Sequence, residues 1–275
     1  NYTSRKGRKM KTMKLAISTA AVAMLALSAM SSSSTNIVYG DYTAADVTFL
    51  GVEEYTTTLG DTVPKYGAPI VSTTGNTMDF NPVGFEATAG GGGVDFTDGN
   101  LVFIAEAHPN MAIEEIAFSE AGTFTLQGLG TENTYVDVTA RFFIDIYEVN
   151  FVDLPSAIRV EAYMDFNPST DGTFDFPTYG PEDDGSWSGE LLVDINYELS
   201  LRGFDPSDRA TSVGVDLNNY LTAISEAGSI AAISKKDFDT GLSIEIIPEP
   251  ASLALLIGAR SEERRVGKEC RSRWS

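Results

Sequence analysis

Sulfur and imidazole are almost missing from this chain: its 275 residues include one cysteine, Cys270, and one histidine, His108. A single thiol cannot close an intrachain disulfide, and zinc centres normally recruit several histidine or cysteine ligands, so both kinds of staple are excluded and the fold must rest on its core. Basic residues are also few, 19 Lys+Arg against 39 Asp+Glu. Twelve of those bases lie in residues 1–30 and 260–275, so residues 31–249 hold 36 acids and 7 bases, a formal charge of −29. A surface of that sign repels phosphate backbones and anionic lipid headgroups, which argues against nucleic-acid binding and against attachment to membranes by basic patches. Long apolar runs are confined to the ends. The chain as a whole is 43% hydrophobic and 10% aromatic, enough for a packed core rather than an acidic disordered tail.

The N-terminal run Leu15–Met30 (LAISTAAVAMLALSAM) follows Lys9, Lys11 and Lys14 and precedes four serines. A basic segment, a short apolar segment and small residues at its end form a secretory signal, and the run is shorter than the roughly 20 residues a spanning helix needs. Residues 10–40 are therefore expected to be a signal peptide and leader. Cleavage after Ser28 and cleavage nearer Gly40 both fit. Translation is expected to begin at Met10 or Met13, with residues 1–9 carried from upstream.

At the other end, residues 246–259 read IIPEPASLALLIGA. Two prolines stop a preceding strand or helix, and the leucine-rich stretch after them is the start of a membrane helix. Pro248, Glu249 and Pro250, continued by Ala251, Ser252, Leu253, Ala254 and Leu255, resemble the PEP-CTERM sorting signal of exported bacterial proteins. The resemblance implies that the triplet is recognised and processed by an exosortase-like membrane enzyme, and that a transmembrane helix and an arginine cluster follow. Only nine residues separate the triplet from Arg260, too few to cross the hydrocarbon as a helix. Residues 260–275 (RSEERRVGKECRSRWS) instead resemble a translated sequencing adapter, which implies that the natural helix is truncated after Ala259 and that Cys270 is not native. The chain thus divides into residues 1–9, the leader 10–40, a secreted domain 41–247, the sorting signal 248–259 and the adapter-like tail 260–275.

Within the body the hydrophobic pattern has period two. Val136, Val138, Ala140, Phe142, Ile144 and Ile146 alternate with Asp137, Thr139, Arg141, Asp145 and Tyr147; Ile158, Val160, Ala162, Met164 and Phe166 alternate with Arg159, Glu161, Tyr163 and Asp165. The same spacing predicts a strand over 193–201. Shorter strands are expected near 47–52, 101–107, 123–126, 213–217 and 242–246, while 113–119 fits either strand or a helical turn. Alternation buries one sheet face and wets the other, and turn residues at Gly90–Gly93, Asn167-Pro168, Pro181–Gly185 and Asp205-Pro206 punctuate the gaps. The expected fold is all-β, an antiparallel β-sandwich with a jelly-roll-like arrangement, flanked by an N-terminal signal helix and a truncated C-terminal membrane helix. Gly185–Gly189, Ser225–Gly228 and Lys235–Phe238 loosely resemble the bodies of uncharacterised PEP-CTERM exported proteins, a likeness that implies no activity.

Few residues suggest chemistry. No G-x-S-x-G elbow accompanies His108, and a turn position explains that histidine better than a catalytic triad. Gly90–Gly93 lacks the Gly-Lys-Ser/Thr of a phosphate cradle. Asp165, Asn167, Asp171 and Asp175, with Ser169 and Thr173 between them, set oxygens at alternate positions and are candidate calcium ligands, although Thr170 and Phe176 break the EF-hand pattern and solvated turns explain the same residues. No other cofactor is expected. Trp187 with Tyr179 and Tyr197 would suit a sugar-binding platform, if core packing does not claim them. An acid pair for glycoside hydrolysis cannot be singled out among 36 acids. The expectation is a non-enzymatic structural or adhesive protein, exported to the cell surface or extracellular matrix, processed by an exosortase-like partner, and touching the membrane only through its ends. Binding of extracellular polysaccharide is the alternative, and a carboxylate-dependent hydrolase the third.

Overall fold

The structure, a computed structural model, describes residues 36–236 and 242–250. In chain order the strands are β1 (Asn36–Thr43), β2 (Val47–Tyr55), β3 (Ile70–Val71), β4 (Thr77–Phe80), β5 (Glu86–Gly90), β6 (Val94–Ala107), β7 (Met111–Gly128), β8 (Tyr135–Val149), β9 (Val152–Tyr163), β10 (Asp165–Asn167) and β11 (Thr173–Asp175). The helix α1 (Phe176–Tyr179) follows, then β12 (Glu182–Asp194), α2 (Ile195–Leu201), β13 (Ala210–Ile224), β14 (Ser229–Lys235) and β15 (Leu242–Pro250). Among the described residues every strand pairing is antiparallel, as the alternating sequence requires.

Two layers result. One runs β1-β2-β6-β13-β8-β9. The other is organised on the long strand β7, which pairs with β12 along one edge and with β15 and then β14 along the other; β4 extends β15 and β5 extends β14. Among the described residues a single pairing, Ala210 with Ile113, joins the layers at one corner into a nearly closed sheet. Their inner faces share one core. Val136, Val138, Ala140, Phe142, Ile144 and Ile146 of β8 are all buried, and Phe142 meets Phe118 of β7 across the sandwich at 4.3 Å between ring centroids. Each of these valine, isoleucine and phenylalanine side chains taken from water contributes about 1.5–3 kcal/mol. The antiparallel β-sandwich read from the alternation is the observed fold. Its edges reach past the expected 41–247: β1 takes in residues 36–40, and β15 carries Pro248, Glu249 and Pro250 along β7.

Proline at the end of β15 is tolerable because pairing with β4 stops at Glu245, one further bond joining Ile246 N to Asn76 O, which leaves the other edge open. A register shift between Ile247 and Pro248 accommodates the first proline. The signal run Leu15–Met30 and the apolar stretch after Pro250 lie outside the described residues. Among the described residues no helix is long and apolar enough to cross a membrane.

Two expectations need correction. Residues 195–201 form helix α2 rather than the continuation of a strand. Asp194 caps it, accepting from Tyr197 N at 2.7 Å, and Ile195 and Leu199, four apart, bury one side, whereas alternation would have hidden Tyr197 and Leu201, which are 57% and 60% exposed. The segment Pro181–Gly185 is not only a turn: β12 already starts at Glu182 and absorbs the glycine through a register shift before Gly185. Residues 113–119, open between strand and helical turn, lie within β7.

Buried carboxylates fix the loops. Glu54 accepts from the backbone of Lys65, Tyr66 and Gly67 and from Tyr39 Oη at 2.7 Å. Asp98 accepts from Thr56 Oγ1, Thr57 N, Thr57 Oγ1, Thr58 N and Asn100 Nδ2, all between 2.5 and 2.8 Å. Burial pushes the Asp98 carboxyl up, but these hydrogen bonds outweigh it and hold the group at about 2.

Candidate functional site

The outward side chains of β6, β13, β8 and β9 build a continuous polar and aromatic face. Register brings Arg141 beside Tyr163, Phe143 beside Glu161 and Asp145 beside Arg159 across β8 and β9. On the opposite side of β8, Asn218 stands beside Arg141, Asp216 beside Phe143 and Gly214 beside Asp145. Because strand residues two apart share a face, these form one surface, and Tyr147 and Tyr220 extend it along the strands.

The polar groups hold one another in place. Arg159 grips Asp145 with both arms, Nε to Oδ1 at 2.9 Å and Nη2 to Oδ2 at 2.6 Å. Arg141 bonds Glu161 through Nε at 2.9 Å, and Tyr163 Oη donates to the same Oε1. Both guanidiniums also lie near the Phe143 ring, at 4.4 Å for Arg141 and 5.3 Å for Arg159. Asp216 accepts from Asn218 Nδ2 at 2.6 Å; burial, reinforced by neighbouring Asp145, raises its carboxyl above the ordinary range despite Asn218 and Arg159.

A cleft of about 430 Å³ opens on this face, lined by Leu50, Val102, Ile104, Tyr147, Arg159 and Asp216 among others. Its floor needs a glycine. A Cβ on Gly214 would stand 2.6 Å from Tyr147 Cε2, so only glycine lets the tyrosine lie across β13. Tyr147, Tyr163 and Tyr220 remain 38%, 56% and 42% exposed, so their rings are available to a ligand. Rigid rings beside fixed donors and acceptors suit a polyhydroxylated molecule, whose C–H faces stack and whose hydroxyls hydrogen-bond.

The residues singled out from sequence fall elsewhere. Trp187 is buried, edge-on to Phe166 at 5.8 Å, and lies so close to Gly122 that a Cβ there would sit 2.4 Å from the indole. Tyr179 packs on Phe124 and Phe174 while Tyr197 is exposed on α2, so the three rings make no platform. Core packing claimed the tryptophan because it faces inward from β12. The calcium candidates are separated into local duties: Asp165 and Asn167 are in β10, Asp171 accepts from Ser169 Oγ at 2.7 Å and Thr173 N at 3.1 Å, and Asp175 caps α1 through Thr178 N at 2.8 Å. Among the described residues no three His, Cys, Asp or Glu side chains gather to hold a metal ion. His108 occupies the turn between β6 and β7, its Nε2 3.0 Å from Thr48 Oγ1. Glu249 of the triplet is paired with Arg209 at 2.8 Å. The face itself was visible in the sequence only as the wet side of two strands; the signal was that its members are Arg, Tyr and Phe rather than Ser, Thr or Lys.

No protein-family model and no curated protein matches the chain. Solved structures that it is similar to include TmCBM61 in complex with beta-1,4-galactotriose, at 8% identity over 62% of this chain and 70% of that one, TM-score 0.21. The endoglucanase 3 of Trichoderma harzianum, from family GH12, gives 12% identity over 79% and 98% with a TM-score of 0.20. The family 11 xylanase of Neocallimastix patriciarum gives 7% over 77% and 99% with a TM-score of 0.19. Likeness at this level assigns no activity.

Proposed function

We propose that the chain is an exported β-sandwich that holds polysaccharide at the cell envelope through the outer face of β6, β13, β8 and β9. The observation that carries this reading is Tyr147 laid across Gly214 beside the Arg159–Asp145 pair, with Tyr163 and Tyr220 exposed on the same surface. Neutral hexose polymers fit best: both arginines of the face are already bonded to carboxylates, and a body carrying −29 repels anionic glycans. A binding rather than a cutting role is supported by Arg159, which bonds both oxygens of Asp145, the carboxylate that shares the cleft with Asp216. Export, exosortase-like processing at Pro248-Glu249-Pro250 and an adhesive or structural role belong to the same reading, supported by the terminal segments of the sequence.

A glycan array followed by calorimetry on the strongest neutral hit tests the binding site. Tyr147→Ala and Tyr163→Ala should each weaken binding about tenfold, the order of one stacked ring, and Gly214→Ala should do the same by displacing Tyr147. Retained affinity in all three folded variants would remove this face from consideration. For the export half, fractionation in a host with the sorting machinery should place the product at the envelope; full-length protein left in the cytosol contradicts it.

A further inference from the structure

The interior holds an ion pair that the binding face does not use. Lys235 on β14 and Glu120 on β7 are both fully buried and bonded to each other. Asn219, inward from β13 in the opposite layer, is also buried and donates through Nδ2 to the other oxygen of Glu120 and, at 3.0 Å, to Tyr66 Oη, which in turn donates a hydrogen bond to Gly99 O at 3.1 Å. One carboxylate therefore bridges a lysine amine and an asparagine amide. Aromatic rings enclose the amine: Phe85 at 5.2 Å, Trp187 at 5.8 Å and Tyr66 at 5.9 Å from Nζ. Two polar atoms around this lysine have no partner, Asn219 Oδ1 and Trp187 Nε1.

As a stabilising device this arrangement is poor. Removing both charges from water costs several kcal/mol per ion, and unpaired buried polar atoms add to the cost. As a reaction site it is well composed. We propose that Lys235 and Asn219 become joined by an intramolecular isopeptide bond, with Glu120 carrying the protons. Burial pulls the Lys235 ammonium below its ordinary value, against the attraction of Glu120, and so favours the neutral amine that can attack. Lys235 gives a proton to Glu120, and its lone pair attacks Asn219 Cγ, moving the carbonyl electrons onto Oδ1. As they return, the Cγ–Nδ2 bond breaks, Glu120 protonates Nδ2 and takes a proton from Nζ, and ammonia leaves. One C–N bond forms and one breaks, with no oxidation or reduction. The products are a secondary amide, ammonia and a neutral Glu120, so the buried ion pair disappears. The bond ties the two layers together where a chain without a usable cysteine pair has no disulfide to do so.

Tryptic digestion of the full chain reads the bond directly. Arg209 and Lys235 flank a segment containing Asn219, and an acylated lysine resists trypsin. The linked protein should yield residues 210–236 as one peptide, lighter than its sequence by one ammonia and lacking backbone fragments between Asn219 and Lys235. A cyclised Asn219 alone would lose the same mass yet still be cut after Lys235 and fragment throughout, so that result overturns the proposal. A peptide of full mass ending at Lys235, from protein that melts cooperatively, overturns it as well. Glu120→Gln should return the unlinked peptide; a bond formed without the carboxylate removes Glu120 from the mechanism. If that variant does not fold, the wild-type digest still decides whether the bond exists.

Discussion

Asp98 offers a quantity that can be worked from the structure. Its two oxygens receive five donors, Thr56 Oγ1 and Thr58 N on Oδ1, and Thr57 N, Thr57 Oγ1 and Asn100 Nδ2 on Oδ2. The gap between an ordinary 3.8 and about 2 corresponds to roughly 2 kcal/mol of folding stability. A depressed folded-state value means that this stability is present above the unfolded value and disappears as pH falls through about 2. Replacement by asparagine removes the charge, and whichever oxygen becomes nitrogen confronts at least two donors, each left unpaired at about 1–3 kcal/mol. Asp98→Asn should therefore lose roughly 3–5 kcal/mol at pH 7, a fall in melting temperature of about 10 °C. Thermal and urea melts from pH 7 to pH 2 would follow both proteins, and their difference should shrink between pH 4 and 2 as the wild type surrenders its own charge. Equal stability at pH 7, or a gap that stays constant with acid, would refute this account of the loop anchor.

Trp187→Ala should cost about 3–5 kcal/mol by opening a cavity in the core, measured by urea denaturation, while glycan affinity of the folded variant stays unchanged because the indole does not reach the outer face. Asp175→Ala should cost about 1 kcal/mol through the lost cap of α1. Calcium should neither raise the melting temperature of the wild type nor restore that of this variant; a calcium-dependent rise would return the 165–175 segment to consideration as a metal site.

Where one face of a strand is buried and the other wet, the sequence is a direct record of the sheet. Phe142, Ile144 and Ile146 face inward in β8 as their spacing predicts. Residues 195–201 misled because Ile195, Tyr197, Leu199 and Leu201 satisfy period two while Ile195 and Leu199 also satisfy the helical spacing; the capping carboxylate of Asp194 decided between them. The candidate site was half legible. Arg141, Asp145, Tyr147, Arg159, Glu161 and Tyr163 stand out as the polar side of their strands, but their convergence depends on the register of β8 against β9 and β13, which no local pattern encodes. Asn219, Glu120 and Lys235 are further from reach, since they meet only when two layers close over one another.

The order of the last strands has a mechanical meaning. A pull applied beyond Pro250 enters the body through β15, and the ladder to β7 from Leu242 to Pro250 bears it first. Once that strand is stripped, the next described residues along the chain are Lys236, whose N bonds Ala121 O at 3.0 Å, and Lys235 at the end of β14. With the Lys235 side chain joined to Asn219, further unravelling would stop at a covalent link, and the tyrosine-bearing face, carried partly on the strand of Asn219, would stay assembled under tension.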